Sequence, residues 1–235
     1  MAGPSRRDVC WESPAHRTIR VPSTRLVSLV HRAVAAILYE VEPIDGAADF
    51  VLQSELVANE PVAIASTADP RTAGVIDSPL ESEFFGHEDK RAILIHSTRR
   101  SKLGLVVGMD HVLTAPRGTQ STSESSEDRA RMTVTTHLAP GQSLRVVKFV
   151  AFGWSSQRST PALRPQVEGA LATAVHPGRP GLAAAHRTYL SSFSPGAHAV
   201  LRVPPYLPLA TRFHPVPFAL SPPPPEPRRP PDPPP

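Results

Sequence analysis

From Ile19 to Trp154 the apolar positions recur every second residue, the spacing that sends successive side chains to opposite faces of a β-strand. Ala33, Ala35, Ile37, Tyr39 and Val41 share one parity. Val34, Ala36 and Leu38 on the other parity are apolar too, which predicts a strand covered on both faces. Asp45-Gly46 follows as a hairpin turn. Phe50, Leu52 and Leu56 then alternate with Gln53 and Glu55; Ile93 and Ile95 mark a third strand, and Leu103, Leu105, Val107 and Met109 a fourth. The cleanest alternation sets Ala130, Met132, Val134, Thr136 and Leu138 against Arg129, Arg131, Thr133, Thr135 and His137, one face in and one face wet. Pro140-Gly141 makes the next turn, and residues 143–154 read as another buried strand. Strands joined by turns, with no helices between them, predict an antiparallel β-sandwich, so the chain is mainly β. Two stretches break the pattern. Residues 69–86, with two prolines, acids and glycines, predict a long connection. Residues 118–128 (GTQSTSESSED), polar and acidic, predict a mobile loop tip or hairpin end.

After Trp154 the period changes to that of a helix. Ser159 or Thr160 can cap it, with Pro161 at its first position. Leu163, Val167, Ala170, Leu171 and Ala174 then fall on one stripe, and residues 176–181 (HPGRPG) end the helix. Leu182, His186, Tyr189, Leu190 and Phe193 repeat the spacing in a second helix. Each apolar stripe expects a surface to pack against. From residue 194 proline dominates, ending in SPPPPEPRRPPDPPP. Proline lacks an N–H and fixes φ, so this tail is expected to join neither sheet nor helix and to be disordered or locally polyproline II. The organisation expected is a sandwich over 7–158, a helical linker over 159–193 and a tail over 194–235.

Composition changes this picture little. Of the 29 prolines, more than half follow Phe193. The net charge of +4 comes largely from scattered Arg rather than a dense basic block, which argues against a nucleic-acid partner. Cys10 is alone, so it forms no internal disulfide; it reads as a small apolar filler and is compatible with a reducing cytoplasm. Arg6, Arg7 and Asp8 precede no apolar signal region, and no run approaches a membrane span, so cytoplasmic location is expected.

Few residues carry candidate chemistry. Glu40 and Glu42 share a strand parity, and Glu81 and Glu83 repeat the spacing in a connection; solvated carboxylates are the simpler reading of both pairs. Asp110-His111 with nearby serines could suggest a nucleophilic triad, but no Gly-x-Ser-x-Gly elbow supports it, and a hydrogen-bonding role is expected. His87-Glu88-Asp89 reads as an exposed loop cluster rather than a metal site. Trp154, at a strand end before a helix, reads as a packing residue at the sandwich–linker junction, and Trp11 likewise.

Residues 17–46 (RTIRVPSTRLVSLVHRAVAAILYEVEPIDG), 51–61 (VLQSELVANEP), 140–159 (PGQSLRVVKFVAFGWSSQRS) and 185–193 (AHRTYLSSF) together resemble the N-terminal domain of glycoside hydrolase family 65. This family contains phosphorylases and hydrolases of α-linked glucosides such as trehalose, maltose and kojibiose. The resemblance runs from about Arg7 to Phe193. Family members begin with a longer stretch bearing a Leu-Gly-Asn-Gly-type signature and continue past the linker into an (α/α)6 barrel. The chain thus looks like an incomplete domain whose tail replaces the barrel, as a frameshift or gene-model error at Phe193 would produce.

The resemblance implies inversion at the anomeric carbon, with a general acid protonating the leaving oxygen while phosphate or activated water attacks. Both the acid and the phosphate site belong to the barrel, so no catalytic, cofactor-binding or metal-binding residue carries over to this chain. Inorganic phosphate is the family phosphorylases' co-substrate, an α-linked glucoside the expected partner, and homodimers are common in the family. If residues here touch sugar, 53–59 (QSELVAN) and 121–128 are the candidates. Alternative readings are a stand-alone carbohydrate-binding sandwich and a Pro-rich interaction protein. Missing strands and a missing barrel would leave open edges and bare helix stripes, which predicts poor solubility or a molten state.

Overall fold

The computed structural model describes residues 4–12, 17–60, 78–156, 160–192 and 213–215. Ten strands run to the first helix: β1 (Ser5–Glu12), β2 (Thr18–Val27), β3 (Val34–Pro43), β4 (Ala48–Val57), β5 (Leu80–Glu88), β6 (Arg91–Thr98), β7 (Gly104–Thr114), β8 (Gln120–Ser126), β9 (Arg129–Leu138) and β10 (Leu144–Ser155). Two helices follow, α1 (Thr160–Val175) and α2 (Gly178–Ser192), and then β11 (Phe213–Pro215). The strands form a seven-stranded sheet in the order β1-β2-β3-β10-β7-β6-β5 and a four-stranded sheet in the order β11-β4-β9-β8, paired antiparallel throughout. The two sheets stack as a sandwich.

The core has two layers. Between the sheets lie Val41, Leu52, Met132, Val134, Leu138, Leu144 and Val146, continued by Leu56, Leu94, Met109, Ala130 and Val150. On the far side of the large sheet, Val34, Ala36, Ile93, Val106, Phe149 and Ala151 meet Leu163, Val167, Leu171 and Ala174 of α1 and Leu182 of α2. The doubly apolar pattern of β3 and β10 follows from this, since both faces are covered. The helix stripes are therefore not bare. Their partner is the sheet itself, and the expectation of a molten state loses that support. Gly108 lets α1 approach: a Cβ there would come within 2.6 Å of Ile93 and 2.8 Å of Leu171.

Other expectations need correction. Residues 80–86 belong to β5 and 120–126 to β8, rather than to a connection and a loop tip. Both are edge strands whose outward residues need no apolar side chain, so the alternation fails there. β1 was missed for the same reason; of its residues only Val9 is even partly buried. Asp45-Gly46 makes no hairpin, because β3 and β4 lie in different sheets; Asp45 Oδ1 instead accepts the Thr18 N–H at 2.8 Å. α2 starts at Gly178, with Pro180 in its first turn, where a missing N–H costs nothing. Cys10 is exposed on an edge strand and fills no core. In the tail, Phe213–Pro215 pairs with Leu52–Ser54 of β4, so part of it does join a sheet. A proline is tolerated there because the strand lies at an edge. The rest of the tail, residue 193 and the capping reading at Ser159, Thr160 and Pro161 lie outside the described side chains.

Leu171→Ala removes a side chain clamped between helix and sheet and is expected to cost about 2–5 kcal/mol, read from urea unfolding. A loss below about 1 kcal/mol would mean that α1 does not close this core.

Candidate functional site

Two polar assemblies stand out. The first is buried between the sheets. Lys148 on β10 faces inward, fully buried, and its Nζ donates to the Glu55 carbonyl at 2.6 Å. Burial pushes its pKa down to about 7, opposed by the Glu55 carboxylate. That carboxylate, read from the alternation as wet, is buried and accepts from Arg131 Nε at 2.5 Å, while Arg131 also reaches Glu124 at 3.2 Å. Beside Lys148, His111 Nδ1 lies 2.8 Å from the Lys90 carbonyl. A carbonyl only accepts, so Nδ1 carries the proton, and Nε2 accepts from the Ser54 hydroxyl at 2.8 Å. Burial, with the Lys148 charge, drives the His111 pKa down to about 3 and keeps the ring neutral.

Ser54 and His111 have the contact of a nucleophile and its base, but not the setting. Both are buried, and a carbonyl rather than a carboxylate orients the ring. Asp110 lies on the opposite face of β7, where its carboxylate accepts from Arg91 at 2.8 and 2.9 Å. The expected hydrogen-bonding role of Asp110-His111 is what the geometry shows.

The second assembly lies at one end of the sandwich. Asn59, with φ of 50°, ends the stretch that follows β4. Its Nδ2 donates to the Leu80 carbonyl at 3.0 Å and to the Asp128 carboxylate at 3.0 and 3.1 Å, and its Oδ1 accepts the Leu80 N–H at 2.9 Å. Asp128 also meets His96 Nε2 at 2.9 Å, and His96 is buried. A cavity of about 220 Å3 opens here, lined by Asn59, Ser78, Leu80, Glu81, Ser82, Arg99, Glu127 and Asp128. That is below the roughly 300–1,000 Å3 of pockets that enclose a whole ligand. The two segments singled out as possible sugar contacts thus converge, through Asn59 and Asp128.

The remaining candidates separate. Glu40 stands opposite Arg145 and Glu42 opposite Arg20. Glu81 bonds Lys102 at 3.0 Å, which lowers its pKa, the wrong direction for a general acid. A register shift lies between Ser82 and Phe84, so Glu81 and Glu83 do not flank a regular strand position. His87 bonds Ser125 at 2.9 Å and Asp89 pairs with Lys90, and no metal-binding group of three occurs among the described residues. Trp154 is 63% exposed and Trp11 46%, so neither packs as expected. Lys148 and His96 escaped sequence reading because each is a lone polar residue on a strand, with a partner far away in the chain.

Comparison with known proteins decides the family. The profile of the glycosyl hydrolase family 65 N-terminal domain matches residues 1–193. The chain belongs to this family. An uncharacterized glycosyl hydrolase of Mycobacterium tuberculosis is 45% identical over 212 residues, covering 90% of this chain and 27% of that protein. A counterpart in Mycobacterium leprae is 44% identical over the same length. The α,α-trehalose phosphorylase of Thermoanaerobacter brockii is 25% identical over 153 residues, 62% of this chain and 19% of that enzyme. A solved putative kojibiose phosphorylase from the human microbiome shares the fold, with a TM-score of 0.67 and 14% identity over 80% of this chain and 23% of its own. The chain thus spans about a quarter of the length of the mycobacterial relatives. Their match is longer than the 193 residues of the family profile, so the likeness continues past Phe193, where a break was expected. No helix among the described residues is long and apolar enough to cross a membrane.

The buried amine gives a pH signature. An unfolded lysine keeps its proton to about pH 10.4, whereas folded Lys148 gives it up near 7. The unfolded state binds more protons in that window, so stability rises with pH from 7 to 9.5, with a slope approaching about 1.4 kcal/mol per unit. Lys148→Met should flatten the slope in urea titrations at several pH values; an unchanged slope would assign the proton elsewhere.

Proposed function

We propose that this chain is the non-catalytic β-sandwich of a family 65 enzyme that cleaves α-linked glucosides by phosphorolysis or hydrolysis. Inorganic phosphate is the co-substrate in the first case. The observation that carries the reading is the family match over 193 residues. Inverting cleavage needs two carboxyl groups roughly 6.5–9.5 Å apart across a sugar-sized opening, one of them with a raised pKa. Glu81, at the cavity beside Asn59, is shifted the other way, and Glu55 is sealed beneath Arg131. The names of the trehalose and kojibiose phosphorylases among its relatives favour α-linked disaccharides as substrates of the whole enzyme. The sandwich and its helices serve as a folded support for that chemistry.

The purified chain, assayed with trehalose, maltose and kojibiose with and without phosphate, is expected to release neither glucose nor glucose phosphate. Turnover by the purified chain would place catalytic groups within these residues and overturn the reading.

A further inference from the structure

We propose that the end of the sandwich between Trp154 and the Asn59–Asp128 cavity is a saccharide-binding site for a short α-linked glucoside. This rests on the family reading above and adds to it a place on the non-catalytic domain where ligand is held. The argument begins with Trp154, the most exposed large apolar side chain described, at 63%. The pairing register of β10 runs unbroken from Arg145 to Ser155, so Trp154 shares the face of Lys148 and Val150, opposite α1. On that face Asp128, in the turn between β8 and β9, lies 2.9 Å from His96. Trp154 presents its indole to solvent, while Phe152, Gly153 and Ser155 beside it are half-buried.

Register connects the indole to the cavity. Trp154 stands opposite Leu105, Leu105 opposite His96, and His96 opposite Ser82, in one row across β10, β7, β6 and β5. At about 4.8 Å per strand the Trp154 and His96 backbones are roughly 10 Å apart on the same face. His96 is buried and meets the Asp128 carboxylate at 2.9 Å, while Asn59 donates to the same carboxylate at 3.0 Å. The row thus joins a flat apolar platform, a half-buried leucine and a pre-set polar cavity bearing Ser82, Arg99 and Glu127.

These groups match a pyranose. The C–H face of a sugar lies on an indole ring, whose body is apolar and whose edge stays wet. Vicinal hydroxyls donate to a carboxylate and accept from a guanidinium, as Glu127 and Arg99 would provide. A cavity of about 220 Å3 holds one ring, not two. A second ring would lie across Leu105 towards Trp154, so the span selects a disaccharide or slightly longer ligand. An anionic ligand would instead need cations in excess, and the lining carries Glu81, Glu127 and Asp128 against Arg99.

The test titrates the whole chain with kojibiose, trehalose and maltose, read by tryptophan fluorescence and saturation-transfer NMR. Trp11, at the other end of the sandwich opposite Ile19, is the internal control. Saturable binding is expected with a dissociation constant on the order of 1 mM for at least one disaccharide. Trp154→Ala is expected to weaken it about tenfold or more, read by saturation-transfer NMR, with an unchanged far-ultraviolet dichroism, whereas Trp11→Ala leaves it intact. Glu127→Gln provides a second variant at an exposed position should Trp154→Ala disturb folding, and it too should weaken binding. No saturable binding up to about 50 mM, or equal binding by wild type, Trp154→Ala and Glu127→Gln, overturns the site. Absence of both binding and turnover removes this inference and leaves the non-catalytic reading standing. Turnover by the chain removes that reading and this inference with it.

Discussion

The central strands of the large sheet, β3, β10, β7 and β6, carry apolar side chains on both faces, and both faces have to leave water together. The four-stranded sheet covers one. Helices α1 and α2 cover the other through Leu163, Val167, Leu171, Ala174 and Leu182. At about 25 cal/mol per Å2 of apolar surface, neither layer is stable without its cover. What reads as a linker is therefore part of the sandwich. It ends in the same core that the strands begin, and Gly108 and Gly153 mark where α1 comes down on the sheet: Val167 would sit 3.3 and 3.2 Å from a Cβ at the two positions.

The same packing decides what the polar residues can do. A lysine in a sheet-to-sheet core survives because it bonds a carbonyl and sheds its proton near neutrality. A histidine next to it survives by staying neutral, with both nitrogens occupied. Groups arranged this way are fully satisfied and closed to ligand, so their unusual pKa values are consequences of burial rather than signs of chemistry. Reactive potential and access are separated in this molecule. Lys148 and His111, whose pKa values burial lowers, are inside, and the cavity at Asn59 and Asp128 lies at the surface.

How much of this was legible in the chain depends on the kind of residue asked about. The strands with an apolar face, β3, β4, β6, β7, β9 and β10, announce themselves, and β9 alternates residue by residue as written. Helix stripes at Leu163 through Ala174 are equally plain. Edge strands β1, β5 and β8 were not legible, because a sequence such as QSTSESS has no apolar residue to leave a periodic trace. Which sheet a strand joins was hidden as well; the turn at Asp45-Gly46 looks local but crosses between sheets. At the candidate site, the two polar stretches were visible, but their meeting through Asn59 and Asp128 was not, since the contact spans 69 residues. Trp154 was misjudged because a strand-end aromatic looks the same in sequence whether or not anything lies over it.

Sheet edges show how the fold contains the hazards of an exposed ladder. The edges of β5 and β8 face each other, tied by His87 to Ser125 at 2.9 Å and by Ser123 to the Asp89 carbonyl at 2.5 Å, so each shields the other. β1 carries Arg6, Arg7, Asp8 and Glu12, charges that discourage a second sheet from docking alongside. The β4 edge is met by Phe213–Pro215, a three-residue strand ending in a residue that cannot donate to a further partner. A stretch of chain that looks purely like a tail in composition therefore has one physical use that its prolines make easier rather than harder. Proline is a poor continuation of a sheet, which suits it to ending one.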